Sequence, residues 1–90
     1  LENTAHVHAL MGMVYGKQNR REEALRELET AARLDPNFSM TYVYRGNVHL
    51  ASGNPQAALA DYRRALELNP RNFAAREGLK QAEAALRPVR

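Results

Sequence analysis

The sequence predicts an all-α fold: five helices arranged as two helix–turn–helix units and a closing helix. Two segments, Ala24–Pro36 and Ala58–Pro70, share one pattern, opening on Ala-Leu, carrying a large residue four places on (Leu28, Tyr62) and ending Leu-Asp/Asn-Pro. They are offset by 34 residues, and self-similarity at a fixed period of that length marks a repeat architecture. Apolar residues recur at three- and four-residue steps in these segments and in the stretch before the first, which is the helical period.

Composition narrows the function classes. The 90 residues suit one small domain, and 44% apolar with 26% charged is ordinary for a globular chain. No run approaches the ~18 apolar residues of a membrane span, so membrane insertion is not expected. The net charge of +3 comes from 13 basic residues interspersed with 10 acidic ones. A nucleic-acid face would cluster the basic residues with aromatics, so nucleic acid is not an expected partner. The absence of cysteine excludes disulfides and thiolate metal sites but leaves the compartment open, a cytoplasmic location being preferred to a periplasmic one. Arg outnumbering Lys 11 to 2, with abundant Ala, points to a high-GC bacterial source. The chain begins at Leu1 rather than Met and is expected to be part of a longer protein.

The first helix is expected over residues 5 to about 16. Val7, Leu10, Met11, Val14 and Tyr15 recur at helical spacing, and the stretch is apolar enough to be buried on most sides. Gly12 inside it costs ~1 kcal/mol relative to Ala, which points to close approach of a neighbouring helix. Lys17 to Arg20 form a polar turn. The second helix runs from about Arg21 to Leu34, with Ala24, Leu25, Leu28, Ala31, Ala32 and Leu34 on its apolar face. Glu22–Arg26 and Glu29–Arg33 are expected as i,i+4 pairs, and Pro36 stops the helix.

The third helix, Ser39 to about Ala51, carries Tyr42, Tyr44, Gly46, Val48 and Leu50; Gly46 repeats Gly12 in register. Asn54 is the expected N-cap of the fourth helix, with Pro55 at its first position and Leu68 at its end. The fifth runs from Phe73, capped by Asn72, to about Leu86. Arg76, Lys80 and Glu83 stand there in register with His8, Gly12 and Tyr15, leaving Leu79, Ala82 and Leu86 as one apolar stripe. A helix with a single buried face terminates a stack.

These residues resemble the tetratricopeptide repeat, a 34-residue helix–turn–helix unit. Counting from Ala5 and Ser39, position 4 is His8 and Tyr42, position 8 Gly12 and Gly46, and position 11 Tyr15 and His49. Position 20 is Ala24 and Ala58, position 24 Leu28 and Tyr62, position 27 Ala31 and Ala65, and position 32 Pro36 and Pro70. The resemblance implies a right-handed superhelical α-solenoid in one domain over 1–90: a first repeat at about 5–38, a second at about 39–72 and a capping helix at about 73–86. His8, His49 and Arg45 depart from the family's usual residues. Arg45 is expected to lay its stem along apolar surface and reach water or an acid.

The resemblance further implies a concave groove lined by the first helix of each repeat, binding a peptide or helix of a protein partner. Its positions fall on His6, Ala9, Met13 and Gly16, then Met40, Val43, Asn47 and Leu50, with Ala74, Glu77, Gln81 and Ala84 from the last helix. Met13 and Met40 suit varied apolar side chains, and Asn47 suits hydrogen bonding to a peptide backbone. The clamp by which one subclass holds acidic chaperone tails would need its Lys, Asn and Arg at Ala9, Met13, Tyr44, Ala74 and Gly78, and none matches. The alternative expectation is a structural or oligomerising segment whose groove packs within its own assembly. No catalytic residue, metal site or cofactor is expected: His6 and His8 point in different directions on a helix, His49 has no carboxylate beside it in sequence, and no catalytic or phosphate-binding motif occurs.

Overall fold

The computed structural model describes residues 4–88. Its helices are α1 (Thr4–Lys17), α2 (Arg21–Leu34), α3 (Ser39–Ala51), α4 (Pro55–Leu68) and α5 (Phe73–Ala85). Each pair α1/α2 and α3/α4 packs as an antiparallel hairpin; α3 lies against both helices of the first hairpin, and α5 against both helices of the second. The first helices α1, α3 and α5 therefore form one layer and α2 and α4 the other.

The repeat extends to the backbone of the turns. Asn19 and Gly53, which are in register, both adopt the left-handed conformation, with φ of 62° and 78°. This region favours Gly and, among other residues, Asn. The reversal lets Arg20 N–H donate to the Tyr15 carbonyl at 2.9 Å and Asn54 N–H to the His49 carbonyl at 2.8 Å. After α2 and α4 the Asp35 and Asn69 side chains accept from the Asn37 and Arg71 N–H groups at 3.0 and 3.1 Å. These Asx turns precede the next first helix. Asn54 and Asn72 cap α4 and α5 as expected, accepting from Ala57 N–H and Ala75 N–H.

Two side chains centre the core. Leu28 is buried among Ala9, Ala24, Ala31 and Val48; Tyr62 is buried among Tyr42, Val43, Ala58, Ala65, Ala75 and Ala82. Gly12 permits the first packing, since a Cβ there would stand 2.5 Å from Leu28 Cγ. Gly46 permits the second, a Cβ there reaching 2.7 Å from Tyr62 Cε1. Gly78 of α5 packs on the same ring, so that glycines of two helices meet Tyr62.

Several expectations need correction. Helix α1 is not buried on most sides: Val7, Leu10, Met11 and Val14 are exposed, because α2 and α3 cover only the Ala5, Ala9 and Gly12 side. Leu34 is likewise exposed at the end of α2. The fully buried stripe of α5 is Ala75, Gly78 and Ala82, since only small side chains fit over Tyr62; of the expected Leu79, Ala82 and Leu86, Leu79 is half-buried against the same core, while Leu86 lies at the C-cap, exposed. Neither expected i,i+4 pair on α2 forms an ion pair; Glu23 instead pairs with Arg20 from the turn. Arg76, Lys80 and Glu83 are exposed on α5, as a terminal helix requires.

Candidate functional site

The first-helix layer contains a cleft between α1 and α3. A cavity of about 220 Å³ opens there, lined by Met13, Gly16, Lys17, Tyr44, Asn47, Val48 and Ala51. Met13, Val48 and Ala51 supply apolar wall; Lys17, Tyr44 and Asn47 supply the polar side chains, and no acidic side chain lines it. Such a mixture, mainly apolar with a few placed donors, is the usual make-up of a binding cleft.

Asn47 is held in place from below. The Tyr62 ring passes beneath α3, and its hydroxyl donates to Asn47 Oδ1 at 2.6 Å. With its oxygen engaged, the amide has its two N–H donors left to offer outward. Burial, and secondarily Asp61, pushes the Tyr62 pKa up to about 12, so the hydroxyl keeps its proton and remains the donor.

The residues singled out in the sequence separate into three groups. Met13 and Asn47 meet in the cleft. Ala9 and Val43 are fully buried, the first in the Leu28 core and the second in the Tyr62 core, and offer no surface to a ligand. Small or β-branched residues occupy these points because α1, α3 and their hairpin partners approach closely there. Met40 and Leu50 are half-buried against the Tyr62 core, and Met40 Sδ accepts from Asn72 Nδ2 at 3.3 Å. His6 stacks on Phe38 with ring centroids 3.8 Å apart. Glu77 is half-buried and paired with Lys80 at 3.5 Å, while Gln81 is exposed on α5, away from the cavity. Tyr44 and Lys17 line the cleft although sequence reasoning passed over them as lining residues. Tyr62 stands in the sequence only as the large residue of the repeated pattern; its spacing from Asn47 gives no sign that the two would meet.

A second polar cluster lies within the second hairpin, between α3 and α4. Arg45 holds Asp61 through Nε at 3.1 and 3.2 Å and through Nη2 at 2.8 Å. Its guanidinium also stands 5.4 Å from the centroid of the Tyr42 ring. The bond to Asp61 raises the Arg45 pKa above its ordinary value. His49, whose sequence neighbours contain no carboxylate, finds one across the hairpin: Nε2 lies 3.7 Å from Asp61 Oδ2. Burial lowers its pKa despite that carboxylate, and its Nδ1 is buried with no partner. Both Asp61 oxygens already accept from Arg45, which leaves this cluster structural in character. His8 is engaged by Glu27 at 2.6 Å, so His6 and His8 do diverge. Among the described residues no group of three or more His, Asp or Glu is disposed to hold a metal ion, and no helix is long and apolar enough to cross a membrane.

Stacked helical hairpins with a cleft on the first-helix layer define a helical repeat protein of the interaction-module class. The model of the tetratricopeptide repeat matches residues 5–38 and again 39–72. The chain belongs to the tetratricopeptide repeat family. It is 37% identical over 67 residues to the human protein "DnaJ homolog subfamily C member 7", covering 74% of this chain and 14% of that one. It is 34% identical over 67 residues to "Heat shock protein STI1" of Saccharomyces cerevisiae, covering 74% and 11%. With "U-box domain-containing protein 70" of rice it shares 29% identity over 85 residues, covering 94% and 10%. The chain thus spans a small part of the length of these relatives.

Proposed function

We propose that this domain is a protein-interaction module that takes an extended peptide or a helix of its partner along the α1–α3–α5 face, with the α1/α3 cleft as its principal contact. The observation that carries this is Asn47, held by Tyr62 with its donors free beside the apolar wall of Met13 and Val48. A peptide carbonyl satisfies those donors, and an apolar side chain fills the space next to Met13. The fold supplies this surface without supplying a reaction, and the family is a non-enzymatic interaction module. Similarity to proteins named for heat shock is not extended to a shared ligand. The five clamp positions hold Ala9, Met13, Tyr44, Ala74 and Gly78, which carry no charge, and Ala9 and Gly78 are buried.

The test is to select ligands from a displayed peptide library with the purified chain and to titrate the best one by NMR. Shifts of the Met13 methyl, Tyr44 ring and Asn47 side-chain amide are expected. Asn47→Ala combined with Met13→Glu should weaken binding at least about tenfold, the order expected when a hydrogen bond and an apolar contact are lost together. Val43 is unsuitable as a probe, since an acid at that buried position would unfold the domain. Unchanged affinity in the double variant would move the site off this cleft. Self-association through the cleft is the weaker reading, because the most apolar exposed surface lies elsewhere, on the outer face of α1.

A further inference from the structure

We propose that the α1/α3 cleft reads an acidic side chain, so that the peptide it takes carries Asp or Glu about two residues from its apolar anchor. This rests on the reading of the cleft as a peptide site and names the chemistry of what enters it. Charge is segregated between the two helix layers. Neither α1 nor α3 contains an acidic residue, whereas Glu22, Glu23, Glu27 and Glu29 lie on α2, and Asp61 and Glu67 on α4. The two helices that wall the cleft thus offer a ligand positive charge and no competing carboxylate.

Lys17 is the last residue of α1 and the one charged side chain that lines the cavity. Past it the cleft runs into a second depression, which shares Gly16, Val48 and Ala51 with the first and has Arg21 as its one charged residue. The lining therefore passes from Met13 and Asn47 to Lys17 and then to Arg21. Both cations are exposed and, among the described residues, neither forms an ion pair. By contrast Arg20 is engaged by Glu23 and Arg45 by Asp61. Opposite charge steers a ligand to such a groove and fixes its register, while a basic ligand is repelled.

The spacing follows from helix and strand dimensions. Met13 and Lys17 are four residues apart on α1, about 6 Å along its axis. An extended peptide covers that length in about two residues, and side chains two apart lie on the same side of it. An apolar residue beside Met13 therefore places an acid two positions on at Lys17. Because the groove continues toward Arg21, the peptide runs on past this point, and the carboxylate is that of a side chain rather than a chain terminus. The site is distinct from the chaperone-tail clamp, whose five positions are uncharged here.

The test uses two displayed dodecapeptide libraries, one encoding all amino acids and one omitting Asp and Glu, each fused through its C-terminus. The chain should enrich binders from the first alone, with an acid two residues from an apolar side chain. In the best binder, synthesised with an amidated C-terminus, replacing that acid by the corresponding amide should weaken binding about tenfold, the order of two exposed ion pairs. Lys17→Gln with Arg21→Gln should weaken the acidic peptide to the same extent and leave the amide peptide unchanged. Arg63→Gln, a loss of charge on α4, should alter neither. All three side chains are exposed, so circular dichroism should show an unchanged fold. Binders of equal affinity from the acid-free library overturn this proposal and leave the peptide reading of the cleft standing. Binders from neither library overturn the peptide reading and this proposal with it. Acidic binders indifferent to Lys17 and Arg21, or a peptide bound far more tightly with a free C-terminus than with an amidated one, overturn it equally.

Discussion

The hydroxyl of Tyr62, a side chain with no exposed surface, donates to Asn47 Oδ1 at 2.6 Å and joins the core of the second hairpin to the open cleft. One side chain thereby serves both stability and the presentation of a donor. Tyr62→Phe removes the hydroxyl and leaves Asn47, which is exposed, free to rehydrate. A stability loss of about 1 kcal/mol is expected from urea denaturation, with weaker binding of any ligand selected on the cleft. The alkaline limb carries the same signature. The folded pKa of about 12 lies above the ordinary tyrosine value. The contribution is therefore complete below about pH 10, the unfolded value, and is lost as pH rises toward the folded one. Tyr62→Phe should flatten that part of the stability profile, and a profile unchanged by the substitution would show that the hydroxyl is not protected.

Gly46 and Gly78 both pack on the Tyr62 ring. Gly46→Ala gains helix propensity but drives its methyl into the ring, and overpacking of this kind costs about 1–3 kcal/mol. The first hairpin packs Leu28 just as tightly on Gly12 at the equivalent point, a Cβ there standing 2.5 Å from Leu28 Cγ, so a leucine would open no room. Tyr62→Ala removes the ring and should suppress much of the Gly46→Ala penalty. A double-mutant cycle measures this directly: additive losses would mean that the two residues do not meet.

Acid stability should depend on His49. Its pKa lies below the ordinary value of about 6.5 through burial, with Asp61 opposing and Arg45 and Arg21 adding to the shift. A depressed histidine contributes stability above its unfolded pKa, and this is lost as pH falls through the folded value. The melting temperature should therefore decline between about pH 7 and pH 5, and less steeply in His49→Gln. Equal slopes in the two proteins would place the acid sensitivity elsewhere.

The last helix makes the second hairpin a closed unit. Deleting residues 73–90 strips Ala75, Gly78 and Ala82 from Tyr62 and removes the Asn72 cap interaction with Ala75 N–H. We expect the truncated chain to lose cooperative melting by circular dichroism, since a repeat buries its face only by stacking on a neighbour. A sharp transition at the parent temperature would show α5 to be dispensable.

The chain by itself determined most of the architecture. The Leu-Asp-Pro and Leu-Asn-Pro stops, the 34-residue offset, the caps Asn54 and Asn72, and the paired Gly12 and Gly46 are local or periodic signals. They act within a turn or two of helix, so their consequences can be read in order along the sequence. The exposed apolar stripe of α1 was not legible, because periodicity shows that a face is apolar without showing whether anything lies against it. Nor was the burial of Ala9 and Val43 at positions where the groove register places lining. The contacts that give the site its character were decided only by tertiary structure. Tyr62 with Asn47, Arg45 with Asp61 and His49 with Asp61 join residues 12 to 16 places apart on different helices. Their meeting depends on how two helices cross and rotate, a product of packing volume around Gly46 and Gly78. One-dimensional spacing does not encode that geometry.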